Sequence, residues 1–112
     1  MYSILIVDDE KVICEGIKHR ISMLNIPELD SIKIALNGKE ALKIINRTPP
    51  DIIITDIRMP EVDGLELMKT VSEEYPHIKF IVLSGFETYD YIRNAFRLGA
   101  VDYLLKPVTI ED

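Results

Sequence analysis

The sequence predicts an α/β fold: a doubly wound, five-stranded parallel sheet with helices on both faces. Two observations predict it. Apolar runs of strand length alternate with stretches in which apolar residues recur every three to four positions, as a parallel sheet with helical crossovers requires. Three of the five runs, "SILIV", "DIIIT" and "FIVLS", are continuously apolar, as strands buried on both faces must be.

The elements follow in order. Tyr2 to Val7 is the first strand. Ile13, Ile17 and Ile21 then recur every four residues and mark one face of the first helix. Cys14, beside Val12, Ile13 and Ile17 on that helix, reads as a small buried thiol. Ser31 to Leu36 is the second strand. "NGKEALKIINR" is the second helix, with Asn37 three residues before Glu40 in the spacing of a capping box and Ala41, Leu42, Ile44 and Ile45 as its apolar positions. "TPP" at 48–50 is a turn. Asp51 to Thr55 is the third strand, and "GLELMKTVSEEY" presents Leu65, Met68, Val71 and Tyr75 as a third helix. Ile78 to Leu83 is the fourth strand. "YDYIRNAFRLG" presents Ile92, Ala95 and Phe96 and ends on Gly99, a residue suited to stopping a helix. Val101 to Leu105 is the fifth strand. Lys33 in "SIKIAL" and Asp102 in "VDYLL" put a charge in mid-strand, which suits the two sheet edges. With right-handed crossovers this favours the strand order 2-1-3-4-5.

Bulk composition narrows the function. A chain of 112 residues, 47% apolar and 29% charged, suits one compact domain. No apolar run approaches the ~20 residues that span a bilayer, and the start lacks a basic segment and a cleavage site. The expectation is a cytoplasmic protein with no membrane association. A net charge of −6 makes these residues by themselves a poor match for a phosphate backbone. The single cysteine cannot form an internal disulfide, and neither His19 nor His77 has the neighbours that a metal site or a catalytic triad needs.

In a sheet of this order, ligands bind beyond the carboxyl ends of the strands, where the winding reverses between the first and third. The residues just past those ends are Asp8, Asp9 and Glu10 after the first strand, Asp56 to Pro60 after the third, Ser84 and Gly85 after the fourth, and Lys106 and Pro107 after the fifth. The second strand delivers Asn37 and Gly38, an edge away from the crevice. Each of these has an ordinary reading alone: carboxylates opening a helix, a turn aspartate, a serine cap, a solvated lysine. Their joint arrival at one end of the sheet is what those readings leave unexplained. Asp8, Asp9 and Asp56 offer only hard oxygen ligands, which favours Mg²⁺, or Mn²⁺, over zinc. Such a site with an adjacent ammonium suits phosphoryl transfer, with a carboxylate as nucleophile and cations neutralising the transferring oxygens. Asp56, on the central third strand, is the best-placed nucleophile.

Taken together, "LIVDDE", "DIIITDIRMPEVDGLEL", "FIVLSGF" and "LGAVDYLLKP" resemble the receiver domain of two-component response regulators over nearly the whole chain, which implies a flavodoxin-like fold. The resemblance implies that Asp56 is the phospho-acceptor. It implies Mg²⁺ held by Asp9, Asp56 and the backbone carbonyl of Arg58, with Asp8 acting through water. Ser84 takes the switch-hydroxyl position, Tyr103 the switch aromatic, and Lys106 the phosphate-contacting lysine, followed by a cis bond to Pro107. Gly64 takes a loop position where glycine's backbone freedom is used. Arg58 and Phe86 take the positions that influence how long the acyl phosphate survives. The implied partners are a sensor histidine kinase and a second copy bound through the fourth helix and fifth strand. The wording most resembles regulators fused to an AraC-type unit, so DNA is contacted only through a C-terminal output domain outside these 112 residues.

The resemblance also implies a fifth helix after Lys106-Pro107, whereas only "VTIED" follows. The expectation is a receiver domain over 1–112 whose last helix is cut short after about residue 108. In the implied switch, Ser84 moves toward the phosphoryl oxygens and Tyr103 turns into the vacated space. One hydrogen bond to a charged group contributes ~1.5–3 kcal/mol, whereas inverting a 1:99 equilibrium takes about 5.5 kcal/mol. Lys106, the metal and loop contacts must therefore share the task. Two rival readings remain at this level. One is a Mg²⁺-dependent, HAD-like phosphatase or phosphotransferase, disfavoured because Arg58 stands where a second aspartate would serve as general acid. The other is a degenerate receiver that only binds partners, disfavoured by the complete set of Asp8, Asp9, Asp56, Ser84 and Lys106.

Overall fold

A computed structural model of the chain describes residues 1–57, 59, 61–84 and 89–105. The elements run β1 Tyr2–Val7, α1 Lys11–Ser22, β2 Leu29–Ala35, α2 Gly38–Arg47, β3 Ile52–Asp56, α3 Gly64–Glu74, β4 Lys79–Ser84, α4 Tyr89–Arg97 and β5 Ala100–Leu105. The five strands form one sheet in the order β2-β1-β3-β4-β5, with every neighbouring pair parallel. This is the expected topology. Lys33 and Asp102 lie exposed on the two edge strands, where a charged side chain keeps its hydration.

Alternation along the strands sorts the core into two layers. Leu5 and Val7, Ile53, and Phe80 and Val82 point to the side packed by Ala41 and Ile45 of α2, Leu67, Met68 and Val71 of α3, and Ala95 of α4. Ile4 and Ile6, Ile54, and Leu83 point to the other side, packed by Cys14, Ile13, Ile17 and Ile21 of α1. Cys14 is fully buried, as expected, and its Sγ–H donates to the Asp8 carbonyl at 3.5 Å. Val12, grouped with it in the sequence, is 83% exposed. Two helical positions separate them, about 200° of rotation, so Val12 falls on the far side. Phe96 is likewise no core residue: α4 turns Ala95 and Leu98 inward and leaves Phe96 half exposed about 100° away.

Helix starts depart from expectation in an informative way. Asn37 Oδ1 accepts from Glu40 N–H at 2.7 Å, one arm of the expected box. The reciprocal capping box belongs to α3: Asp63 Oδ1 accepts from Glu66 N–H at 2.9 Å, and Glu66 Oε1 accepts from Asp63 N–H at 3.5 Å. The D-x-x-E spacing before "LELM" is the sequence sign of it. Asp63→Ala should lower stability by about 1 kcal/mol, read as a lower urea midpoint at unchanged slope. Gly99 does end α4, with φ 98°. Among the described residues no helix is long and apolar enough to cross a membrane.

Candidate functional site

Sheet register builds the site. Val7 pairs with Thr55, so Asp8 and Asp56 follow one step beyond on adjacent central strands. They carry the same parity as Ile6 and Ile54 and so share one side of the sheet. Asp56 pairs with Leu83 of β4, and the next residue, Ser84, pairs with Leu105 of β5. The backbone of Ser84 therefore lies one register step from Asp56, and Lys106 follows Leu105 directly in the chain. Tyr103 pairs with Val82, one row back. Arg58, Phe86, Lys106, Pro107 and the closing segment lie outside the described residues, as do the side chains of Ser84 and Tyr103.

Asp8, Asp9 and Glu10 bring carboxylate oxygens within 4.8 Å of one another. Asp8 is fully buried, and its Oδ1 accepts from Glu10 N–H at 2.9 Å. Glu10 occupies the N-cap of α1, yet its side chain makes no capping hydrogen bond. The reading of these acids as a simple helix start thus accounts for the Glu10 backbone and not for its carboxylate. Glu10 was not among the expected ligands; the run "DDE" was the only signal for it.

Partial burial, then the hydrogen bond and the charge of Asp8, push the Asp9 carboxyl above its ordinary value. An all-oxygen, mutually repelling donor set fits Mg²⁺ or Mn²⁺, and among the described residues the cluster itself holds carboxylates alone. A carboxyl whose pKa is raised in the folded state penalises folding once it ionises. The penalty is absent well below the ordinary value of 3.8, grows as pH rises past it, and is complete once pH exceeds the raised folded value. Asp9→Asn should therefore raise the metal-free melting temperature near neutral pH and leave it unchanged in strong acid. Thermal scans at both ends of that range check this.

Asp56, 5% exposed, is held by its own loop. Its Oδ1 accepts from Ile57 N–H at 2.8 Å, and its backbone carbonyl accepts from the buried Thr55 hydroxyl at 2.9 Å. Gly64 N–H donates to the Ile57 carbonyl at 2.6 Å and closes the loop. Gly64 is needed here for a reason other than the expected one. Among the described residues of this loop the positive φ falls on Glu61, at 67°, whereas Gly64 is required because a Cβ there would run into the Asp56 carbonyl.

The start of α2 lies at the sheet edge, as expected, with β2 outermost. Asn37 and Lys39 there join Leu36, Glu61 and Asp9 of the acidic cluster around a cavity of about 290 Å³. Gly38 also packs against Val62 of the loop after Asp56.

Comparison with known proteins bears on the fold and the family. The family model described as the response regulator receiver domain matches residues 4–112. The transcriptional regulatory protein YesN of Bacillus subtilis is 45% identical over 112 residues, 96% of this chain and 29% of that protein. The transcriptional regulatory protein DegU of Brevibacillus brevis is 34% identical over 92% of this chain and 43% of its own length. The chain thus spans less than half of these relatives. Among solved structures, a two-component transcriptional regulator AraC from Clostridium phytofermentans superposes with a TM-score of 0.86 at 35% identity, covering 97% of this chain and 84% of that one. A Francisella response regulator receiver domain superposes at 0.85 with 32% identity, covering 99% and 88%. None of these matches lends support to a phosphatase of the HAD-like kind. With a matching family model over almost its full length and a shared strand order, the chain belongs to the response regulator receiver domain family.

Proposed function

We propose that this receiver is phosphorylated on Asp56 by a sensor histidine kinase. The observation that carries the reading is the row of Asp8 and Asp56 on adjacent central strands, with Asp9 and Glu10 oxygens within 4.8 Å of Asp8. A carboxylate oxygen of Asp56 attacks phosphorus, the phosphorus–nitrogen bond of the donor phosphohistidine breaks, and the electron pair leaves with the imidazole. Asp9, Asp56 and the Arg58 carbonyl would hold Mg²⁺, with Asp8 acting through water and Glu10 close enough to join. When bound, the ion neutralises charge on the transferring oxygens. Lys106 contacts the same oxygens from the end of β5.

Phosphorylation adds roughly −1.5 to −2 charge and three strong acceptors. Ser84 donates to one of them and Tyr103 turns inward. The surface of α4 and β5 then pairs with a second copy. In the full-length protein this controls a DNA-binding output domain, in keeping with the transcriptional regulators it resembles, and the protein works in the cytoplasm. Arg58 and Phe86 set the lifetime of the acyl phosphate. Incubation with acetyl phosphate and Mg²⁺ tests the reading. One labile phosphoryl group per chain is expected; continuous release of phosphate would point to an enzyme, and no uptake to a binding module.

A further inference from the structure

We infer that Gly38, the first residue of α2, is a positioning residue for Asp56, acting through Val62. This rests on Asp56 being the phospho-acceptor. Gly38 is buried, and a Cβ at that position would lie 2.7 Å from both Val62 Cβ and the Val62 carbonyl oxygen and 2.9 Å from Val62 Cγ1. Two of those three atoms belong to a stiff β-branched side chain and one to the backbone, so none can swing away. The absent side chain is what lets α2 and the loop touch.

From Val62 the contact reaches the acceptor in short steps. Asp63 is pinned by the capping box of α3, so Val62 is held from behind. Gly64 N–H holds the Ile57 carbonyl at 2.6 Å, and Ile57 N–H holds Asp56 Oδ1 at 2.8 Å. Val62 packs against the core that contains Ile57 and Met59, while Glu61 beside it keeps a backbone conformation that non-glycine residues seldom adopt. A loop carrying that strain stays in place only when its surroundings hold it there. Gly38 supplies the wall on the α2 side. The second helix, outside the ligand crevice in a plain reading of the topology, thus sets the orientation of the nucleophile.

An alanine at position 38 would require Val62 to retreat by roughly 0.7 Å to reach ordinary contact at 3.4 Å. Misplacement of a reacting group by 1 Å can cost ~100-fold in rate, so Gly38→Ala should slow phosphoryl uptake by about 10- to 100-fold. The test measures uptake from acetyl phosphate well below the melting temperature, as a function of Mg²⁺. The expected result is a fall in the maximal rate with the Mg²⁺ midpoint little changed. The Ile57 amide resonance should also shift in the metal-free protein, a readout that needs no turnover. Adding Val62→Gly, which removes two of the three clashing atoms, should restore part of the rate lost in Gly38→Ala.

A Gly38→Ala chain that is less stable yet reacts at the wild-type maximal rate, or keeps the Ile57 resonance in place, overturns the inference. If that chain does not fold, Val62→Gly alone decides, since it removes the wall from the other side. A slower maximal rate upholds the inference, and an unchanged one overturns it. A wild-type chain that takes up no phosphate removes the reading of Asp56 and this inference with it. Normal wild-type uptake with an indifferent Gly38→Ala chain removes the inference alone.

Discussion

Asp56→Asn should abolish phosphoryl uptake from acetyl phosphate and Mg²⁺ while leaving the fold intact. The substitution is isosteric. The side-chain oxygen can still accept from Ile57 N–H, and the Thr55 hydroxyl still reaches the backbone carbonyl of residue 56. What is lost is the anionic nucleophile, since an amide oxygen is a poor one and forms no stable acyl phosphate. Removing one negative charge beside Asp8 on the adjacent strand also relieves repulsion, so the metal-free variant should melt no lower than the wild type at neutral pH. Intact-mass measurement before and after hydroxylamine checks the first point and a thermal scan the second. Undiminished uptake in the variant would place the acceptor elsewhere.

The largest loss of stability is expected from Gly64→Ala. A Cβ there would overlap the Asp56 carbonyl oxygen and lie 2.9 Å from Asp56 C and Ile57 Cα, all backbone atoms of the strand end that carries the acceptor. Backbone in a central strand, paired on both sides by β1 and β4, cannot yield cheaply. Overpacking of this kind costs about 3 kcal/mol, which for a domain of this size lowers the melting temperature by roughly 12 °C. Because the displaced atoms are those of the acceptor, uptake should fall in the same variant even well below its melting point. Gly16→Ala is the control. A Cβ at Gly16 meets nothing within 4 Å, and alanine in a helix interior is favoured over glycine by ~1 kcal/mol. That variant should melt higher and react normally. If the two glycines respond alike, the close approach at Gly64 is not what demands glycine there.

Much of the fold could be read from residues near one another in the chain. Strand and helix periods are local signals, and β1 matches the expected bounds while the other strands begin or end one or two residues away. Edge and centre were legible because Lys33 and Asp102 could not be buried on both faces. The acids of the site were legible too, since topology sends the end of each central strand to one crevice. Helix faces were less so. Phe96 and Val12 looked like core by composition, but a rotation of one or two positions decides which side chain meets the sheet.

Chemistry at the strand ends is what the sequence by itself determined: three acids after β1, one after β3, and the strand order that makes Asp8 and Asp56 neighbours. Only the tertiary structure decided how they are held. Glu10 joins the cluster because its carboxylate is not used as a cap. Gly64 is needed for space and not for its φ, and Gly38 touches a loop far along the chain. The physical reason is the range of the signal. Periodicity and residue type report on a few neighbours, whereas a contact between two loops depends on where the whole sheet carries them.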